Sequence, residues 1–396
     1  MKKRVLSILF ITFLLLAQFS IFTLAADPIK IGGTSSMVGI LGSIGEMVLR
    51  GAQLAVDMAN EDGGIHGQEI EYTNIDGQSN QTVISNASIR LIEEENVIAG
   101  IGPVDINYLS AAAPIFENNK TVLMDPTATT PSIAEMGDYI FMTPFGDDAQ
   151  ARALAKYVAE ELGFDNIAII KDVNADYSIT LAEHFVEAFK EFTGKENPIA
   201  VEENYQTGDQ DYTAQMTRIR QYNDIDALFI IPPLPQDAPV IANQARRFGI
   251  NVPIIYPDAG DFDEVIEIGG DSVEGAYISS HFAIEEAMTD IANDFVTEFE
   301  AKHGYTPGGF EGLGFDSAQI ILEAIKKIDK DEWMSMDLAE QRMAVQKSLI
   351  NNEFNNLIVP IKYEPNLPPT KPVVIKQIKN GERVYVKTMW PEDFEK

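Results

Sequence analysis

From Pro28 onward, short apolar runs alternate with longer segments whose apolar residues recur every three to four positions. The first pattern predicts buried strands and the second predicts amphipathic helices. Residues 28–33 form the expected first strand. A helix follows, with Ile44, Met47, Val48, Gly51, Ala55 and Met58 on one face. Ser43-Ile44-Gly45-Glu46 is its expected capping box and Gly63-Gly64 its stop. Residues 69–75 make a second strand. Val83, Ile84, Ala87 and Leu91 then mark a helix, and 97–101 a third strand. Ala111-Ala112-Ala113-Pro114-Ile115 belongs to the next helix and 121–124 to the next strand, which runs into the hydroxyl-rich loop Asp125-Pro126-Thr127-Ala128-Thr129-Thr130-Pro131. The rhythm returns in the second half. Helices are expected at 148–162, ended by Gly163, and at 177–192. A third ends at Phe248-Gly249. Strands are expected at 166–171, 199–204, 227–231 and 253–256. Two long periodic helices follow at 286–302 and 314–328.

Such alternation predicts an α/β fold of parallel sheets with helices on both faces. Residues 27–396 are enough chain for two domains. Extended apolar segments near 139–144, 276–282 and 357–363 fit three crossings between two bodies. The expected division is 27–144 plus 282–357 for lobe one, and 145–281 plus 358–396 for lobe two. No low-complexity linker separates them, so the hinges are expected to be short.

Residues 1–26 stand apart from this pattern. Lys2, Lys3 and Arg4 precede an apolar run, and Thr23-Leu24-Ala25 places small residues before a cut. This is the form of a cleaved secretory signal peptide. The chain has no cysteine, which excludes the usual lipoprotein attachment and leaves packing alone to stabilise the exported protein. A periplasmic location is expected. Removing the three basic residues takes the net charge from −32 to −35. Nucleic acids and anionic membranes are therefore poor partners.

Enzyme signals are weak. His66, His184, His281 and His303 show no metal-ligand spacing. There is no G-x-S-x-G elbow, Walker loop or G-x-G-x-x-G fingerprint, so no cofactor is expected. Binding signals are stronger. Loops after parallel strands are where open α/β sheets hold ligands. Thr127 and Thr129 flank Ala128 in such a loop, and their hydroxyls suit a carboxylate. Ser36 follows the first strand, facing a helix start. Tyr177 follows another strand and suits a lid. Asp258, after residues 253–256, suits a ligand ammonium.

Together these segments resemble the type I periplasmic solute-binding proteins of ABC transporters, in the leucine/isoleucine/valine branch. The resemblance is carried by Ile29-Lys30-Ile31-Gly32, Gly51-Ala52-Gln53-Leu54-Ala55-Val56, Asn60 through Gly67, Ile101-Gly102-Pro103, Ala111 through Ile115, Asp125 through Pro131, and Gly314-Phe315-Asp316-Ser317-Ala318. It implies two Rossmann-like lobes, three hinge crossovers, a cleft that closes on an amino acid or similar small molecule, and delivery by a monomer to an ABC permease. A periplasmic sensor for a membrane signalling receptor is the alternative role. The resemblance implies that Thr127 and Thr129 hold the ligand carboxylate, Tyr177 covers it and Asp258 takes the ammonium. Three departures bear on the pocket. Asp105-Ile106 stands where the family has a serine pair, Ile44 stands where it has an aromatic, and Pro233 lies in a proline-rich loop, Pro232-Pro233-Leu234-Pro235.

Overall fold

The computed structural model describes residues 27–286, 289–365 and 367–394. The expected signal segment, 1–26, lies outside the described residues. Two parallel-strand sheets organise the rest. The first contains β1 (Ile29–Gly33), β2 (Ile70–Asn74), β3 (Ala99–Ile101), β4 (Val122–Asp125) and β5 (Ile140–Met142), in the order β2-β1-β3-β4-β5. The second contains β6 (Ile167–Asp172), β7 (Ile199–Tyr205), β8 (Ala227–Ile231), β9 (Ile254–Tyr256) and β10 (Tyr277–Ser280). Its parallel part runs β10-β9-β8-β6-β7, so both sheets reverse direction beside their first strand. A small antiparallel pair, β11 (Glu353–Phe354) and β12 (Ile361–Lys362), stands apart. An antiparallel hairpin, β13 (Val373–Lys379) and β14 (Glu382–Met389), extends the second sheet from β10. The hairpin was not expected from periodicity. Its turn is Asn380-Gly381, both at positive φ (55° and 75°), which is the sequence signal for a two-residue hairpin loop.

The first helix shows how local sequence and packing combine. It spans Gly42–Glu61 and buries Ile44, Val48, Ala52 and Ala55. Its expected capping box at Ser43 is not formed. Leu41 is the N-cap, with no side-chain cap bond, and Glu46 pairs with Arg50 instead. Gly45 lies so close to the preceding loop that a Cβ would come within 1.8 Å of the Ser36 carbonyl oxygen. With its cap at Leu41, the helix starts two residues earlier than a cap at Ser43 would set. The helix packs on Gly309–Lys326, which is buried along most of its length. At the crossing a Cβ on Gly51 would meet the Glu311 carbonyl oxygen at 1.9 Å. One on Gly314 would meet that of Val48 at 2.2 Å.

The chain passes between the two sheets three times. The first passage follows β5, with Met142 in the first sheet's core and Phe145 in the second's. The next lies between Ser280 of β10 and Phe282. The third was expected at 357/358 but comes after Tyr363. Ile358, Val359, Ile361 and Tyr363 all pack in the first core. Asp316 holds them there by accepting the Ile358 N–H at 2.8 Å and the Val359 N–H at 3.4 Å. Buried Lys371 ties this passage to the first by donating from Nζ to the Thr143 carbonyl at 3.2 Å. Burial lowers its pKa to about 8 although Asp316 lies near. Helices Lys330–Ser335 and Leu338–Asn351 also went unread, although Asp337 and Glu340 form a capping box on the second.

Candidate ligand-binding cleft

The carboxyl ends of the two sheets face one another across a single cleft, with about 700 Å³ of empty space counting its open mouth. Leu41 and Ile44 come from the connection after β1, Val104 to Asn107 from that after β3, and Thr127 to Thr130 from that after β4. The second sheet supplies Ala175 to Tyr177 after β6, Pro233 and Pro235 after β8, and Asp258, Ala259 and Phe262 after β9. Ligands bind in this position in open α/β sheets, because the strand order reverses there and opens a crevice. Phe310, at the start of its helix, stacks on Phe262 with ring centroids 4.5 Å apart.

Among the residues expected from sequence, Ile44, Asp105, Ile106, Thr127, Ala128, Thr129, Tyr177, Pro233 and Asp258 all line this cleft. Ser36 does not. Its Oγ accepts the Ser79 N–H at 2.8 Å and so pins the loop instead of facing the space.

Asp258 sits in the most developed polar network. It is 4% exposed. Tyr177 donates from its hydroxyl to Asp258 Oδ1 at 2.6 Å, and His281 Nε2 lies 3.0 Å from Oδ2. The main-chain N–H of Asp258 donates to Gln150 Oε1 at 3.0 Å. Burial pushes the Asp258 carboxyl up, but the bonds from His281 and Tyr177 outweigh it and hold the group below its ordinary value. Burial lowers His281 despite the neighbouring carboxylate, and the imidazole presents Nε2 to that carboxylate as a donor. Among the described residues, no lysine, arginine or histidine lines the cleft beside Asp258, although Lys371 acts on His281. Burial, and then the charges of Asp258 and Asp147, raise Tyr177 well above the ordinary phenol, so it stays a donor. Tyr177 therefore orients the Asp258 carboxylate while lining the cleft. His281 itself stacks on Phe145 at 4.0 Å, beside the first passage between sheets.

Opposite, the threonine loop is shaped by Asp125. Its Oδ1 accepts the N–H groups of Thr127 (2.9 Å) and Ala128 (2.7 Å). Burial, partly offset by these two bonds, raises Asp125 to about 7. An unfolded aspartate ionises near ~3.9. The native chain thus holds a proton that the unfolded chain has lost between those values, and stability falls as pH rises through this window. Melting temperature is expected to be higher at pH 5.5 than at pH 7.5 by at least about 1 kcal/mol of stability, or roughly 2–4 °C. Asp125→Asn keeps the acceptor and should reduce that dependence, the remainder coming from Asp147, Asp237 and Asp316, which burial raises in the same direction. An identical pH slope in the variant would remove Asp125 as its source.

Sequence reasoning missed His281, Gln150, Phe262 and Phe310. Only Phe310 had a nearby signal, the glycine-bearing segment Gly314 to Ala318. His281 was one of four scattered histidines, and its partner lies 23 positions away, where no spacing rule applies. No group of three or more His, Asp or Glu among the described residues is placed to hold a metal ion.

Two α/β lobes with a cleft between their strand ends define a two-lobe binding-protein fold. The chain belongs to the periplasmic binding protein family, whose sequence profile matches residues 28–382. The leucine-, isoleucine-, valine-, threonine- and alanine-binding protein of Pseudomonas aeruginosa is 24% identical over 316 residues, covering 79% of this chain and 82% of that protein. The crystal structure of the leucine-binding protein LivK of Thermotoga maritima superposes with a TM-score of 0.81 at 30% identity, covering 92% of this chain and 99% of that one. The branched-chain amino acid binding protein LivJ of Streptococcus pneumoniae, solved with isoleucine, gives 0.79 at 25% identity, covering 91% and 99%.

Proposed function

We propose that this chain is the exported substrate-binding protein of an ABC uptake transporter, which captures an amino acid or related small molecule between its lobes and delivers it to a membrane permease. The carrying observation is Asp258, a buried carboxylate held ionised by His281 and Tyr177 and left without a cation at the wall of an inter-lobe cleft. A ligand ammonium supplies that cation. Thr127, Thr129 and Thr130 offer hydroxyls across the cleft. Leu41, Ile44, Val104, Phe262 and Phe310 supply apolar walls for a side chain. The named substrates of the relatives support an amino acid as the ligand class. Residues 1–26 support export, and no helix among the described residues is long and apolar enough to cross a membrane. The role is capture and release without turnover, with closure by a hinge motion at the three passages between lobes.

Thermal unfolding tests this reading. The protein without residues 1–26 is stripped of carried-over ligand by unfolding and refolding, then screened against amino acids, amines, amides and carboxylates. A ligand at a hundred times its dissociation constant adds about 2.7 kcal/mol, roughly 5–10 °C for lobes of this size. A shift with an ammonium-bearing compound is expected. A panel in which only compounds lacking an ammonium shift the melt would remove Asp258 from the recognition role.

A further inference from the structure

Every ionisable side chain on the cleft wall except the Tyr177 phenol is acidic. Asp105 and Asp176 line it with Asp258, and among the described residues no lysine, arginine or histidine does. A further carboxyl lies behind the wall. Asp147 is fully buried. Its N–H donates to the Thr129 carbonyl at 2.8 Å, burial and then the neighbouring Asp258 push its carboxyl well above the ordinary range, and it lies near enough to act on Tyr177. It therefore lies beside the threonine loop, outside the cleft lining. Among the described residues, Asp125 Oδ2 has no hydrogen-bond partner, and the Asp147 carboxyl has only the Thr129 side chain beside it. Buried polar atoms without donors are costly and mark a place where a donor belongs.

The threonine side is poorly equipped for an anion. The N–H groups of Thr127 and Ala128 are already used by Asp125. The N–H of Asn107, at the adjacent helix start, is used by the Asp105 carboxylate at 2.8 Å. Asp105 stands directly beside Thr127, with its own N–H 3.4 Å from Thr127 Oγ1. Its backbone holds a positive φ of 82°, an unfavourable conformation for a residue with a Cβ. A carboxylate placed at Thr127 would face this aspartate with no cation to offset the repulsion.

We propose that the ligand carries a second cationic group, bound by Asp105, in addition to the ammonium bound by Asp258. The ligand class is an aliphatic dication, such as a diamine or a decarboxylated basic amino acid. Its hydrocarbon spacer runs along Leu41, Ile44, Phe262 and Phe310. The proposal rests on the cleft being the ligand site and changes only the chemistry of what enters it. Asp105 is the specificity-determining residue. It repels a ligand carboxylate and attracts a distal cation.

Isothermal titration of the refolded protein with 1,4-diaminobutane, agmatine, lysine and leucine tests this. The proteins compared are wild type, Asp105→Asn and Asp176→Asn. Asn is isosteric with Asp and an equally good helix N-cap, so the start of the helix at Ile106 is retained. A dication is expected to bind wild type at least tenfold more tightly than leucine. Asp105→Asn should lose tenfold or more for the dication while leucine binding is unchanged or improved. Asp176→Asn, at an exposed position, should lose only a few-fold, with the loss shrinking in salt. Leucine binding more tightly than every dication would overturn the second cation while leaving the receptor reading intact. No binding by any of the four would overturn both. A dication affinity unchanged in Asp105→Asn would overturn the assignment to Asp105. Should that variant fail to fold, the wild-type ranking decides.

Discussion

Asp258→Ala is expected to weaken binding of an ammonium-bearing ligand by about 2–5 kcal/mol, roughly thirty-fold to several thousand-fold. The size follows from burial. A carboxylate at 4% exposure that remains ionised does so because donors converge on it. His281 and Tyr177 supply two of them, at 3.0 and 2.6 Å. The ammonium would complete the set in a site from which water is largely excluded. Removing the carboxylate leaves the incoming charge desolvated and unpaired, and also leaves the Tyr177 hydroxyl and His281 Nε2 without their acceptor. The free protein should therefore lose roughly 1–3 kcal/mol of its own stability. Affinity must be measured well below the variant's melting point. Asp258→Asn separates the effects, since it retains an acceptor for Tyr177 but carries no charge. A dissociation constant within threefold of wild type in both variants would exclude Asp258 from the site.

Gly314→Val is expected to destabilise the fold by about 3 kcal/mol or more, at the upper end of overpacking costs. Gly314 lies in the mostly buried helix Gly309–Lys326, where it crosses Gly42–Glu61. A Cβ there would stand 2.2 Å from the Val48 carbonyl oxygen, 2.8 Å from its carbonyl carbon and 2.8 Å from its Cα. All three are backbone atoms of a helix whose own hydrogen bonds hold them in place. No side chain can rotate away to make room, so the helices must separate. Separation opens the packing of Ala52 and Ala55 against Phe315 and Ala318, all fully buried in the same core. Chemical denaturation read by circular dichroism measures the loss. A midpoint unchanged from wild type would mean that the crossing is looser than this geometry.

The two glycines at that crossing were visible in the sequence only as parts of a family-like pattern. Periodicity marked Gly51 as one more residue on an apolar face. It could not distinguish a filler from a contact point, because that depends on a second helix more than 250 positions further along the chain. The same limit explains the cleft. Thr129, Tyr177 and Asp258 line the cleft because each follows a strand, and strand ends in parallel sheets converge on the crevice. Ser36 satisfied the same rule and was misplaced. Its hydroxyl had a nearer use in the Ser79 N–H, a partner 43 positions away that no local pattern reveals. The absent cap at Ser43 has a comparable origin. A tight tertiary contact at Gly45 overrode a favourable local motif.

By itself the sequence determined the alternation of strands and helices, the two-lobe class, the acidic and cysteine-free character, and the loops that carry the candidate site. These depend on residue spacing and on which positions must leave water, and both are local properties of the chain. Tertiary structure alone decided the pairing of Asp258 with His281, the use of the threonine-loop N–H groups by Asp125, the position of the third passage after Tyr363, and the gathering of Asp105, Asp176 and Asp258 around one space. Each depends on contacts between residues far apart in sequence or on how the strand-end loops are set against each other. Such contacts exist only after the sheets are in register, and burial then sets which polar groups are paired and which carboxylates await a cation.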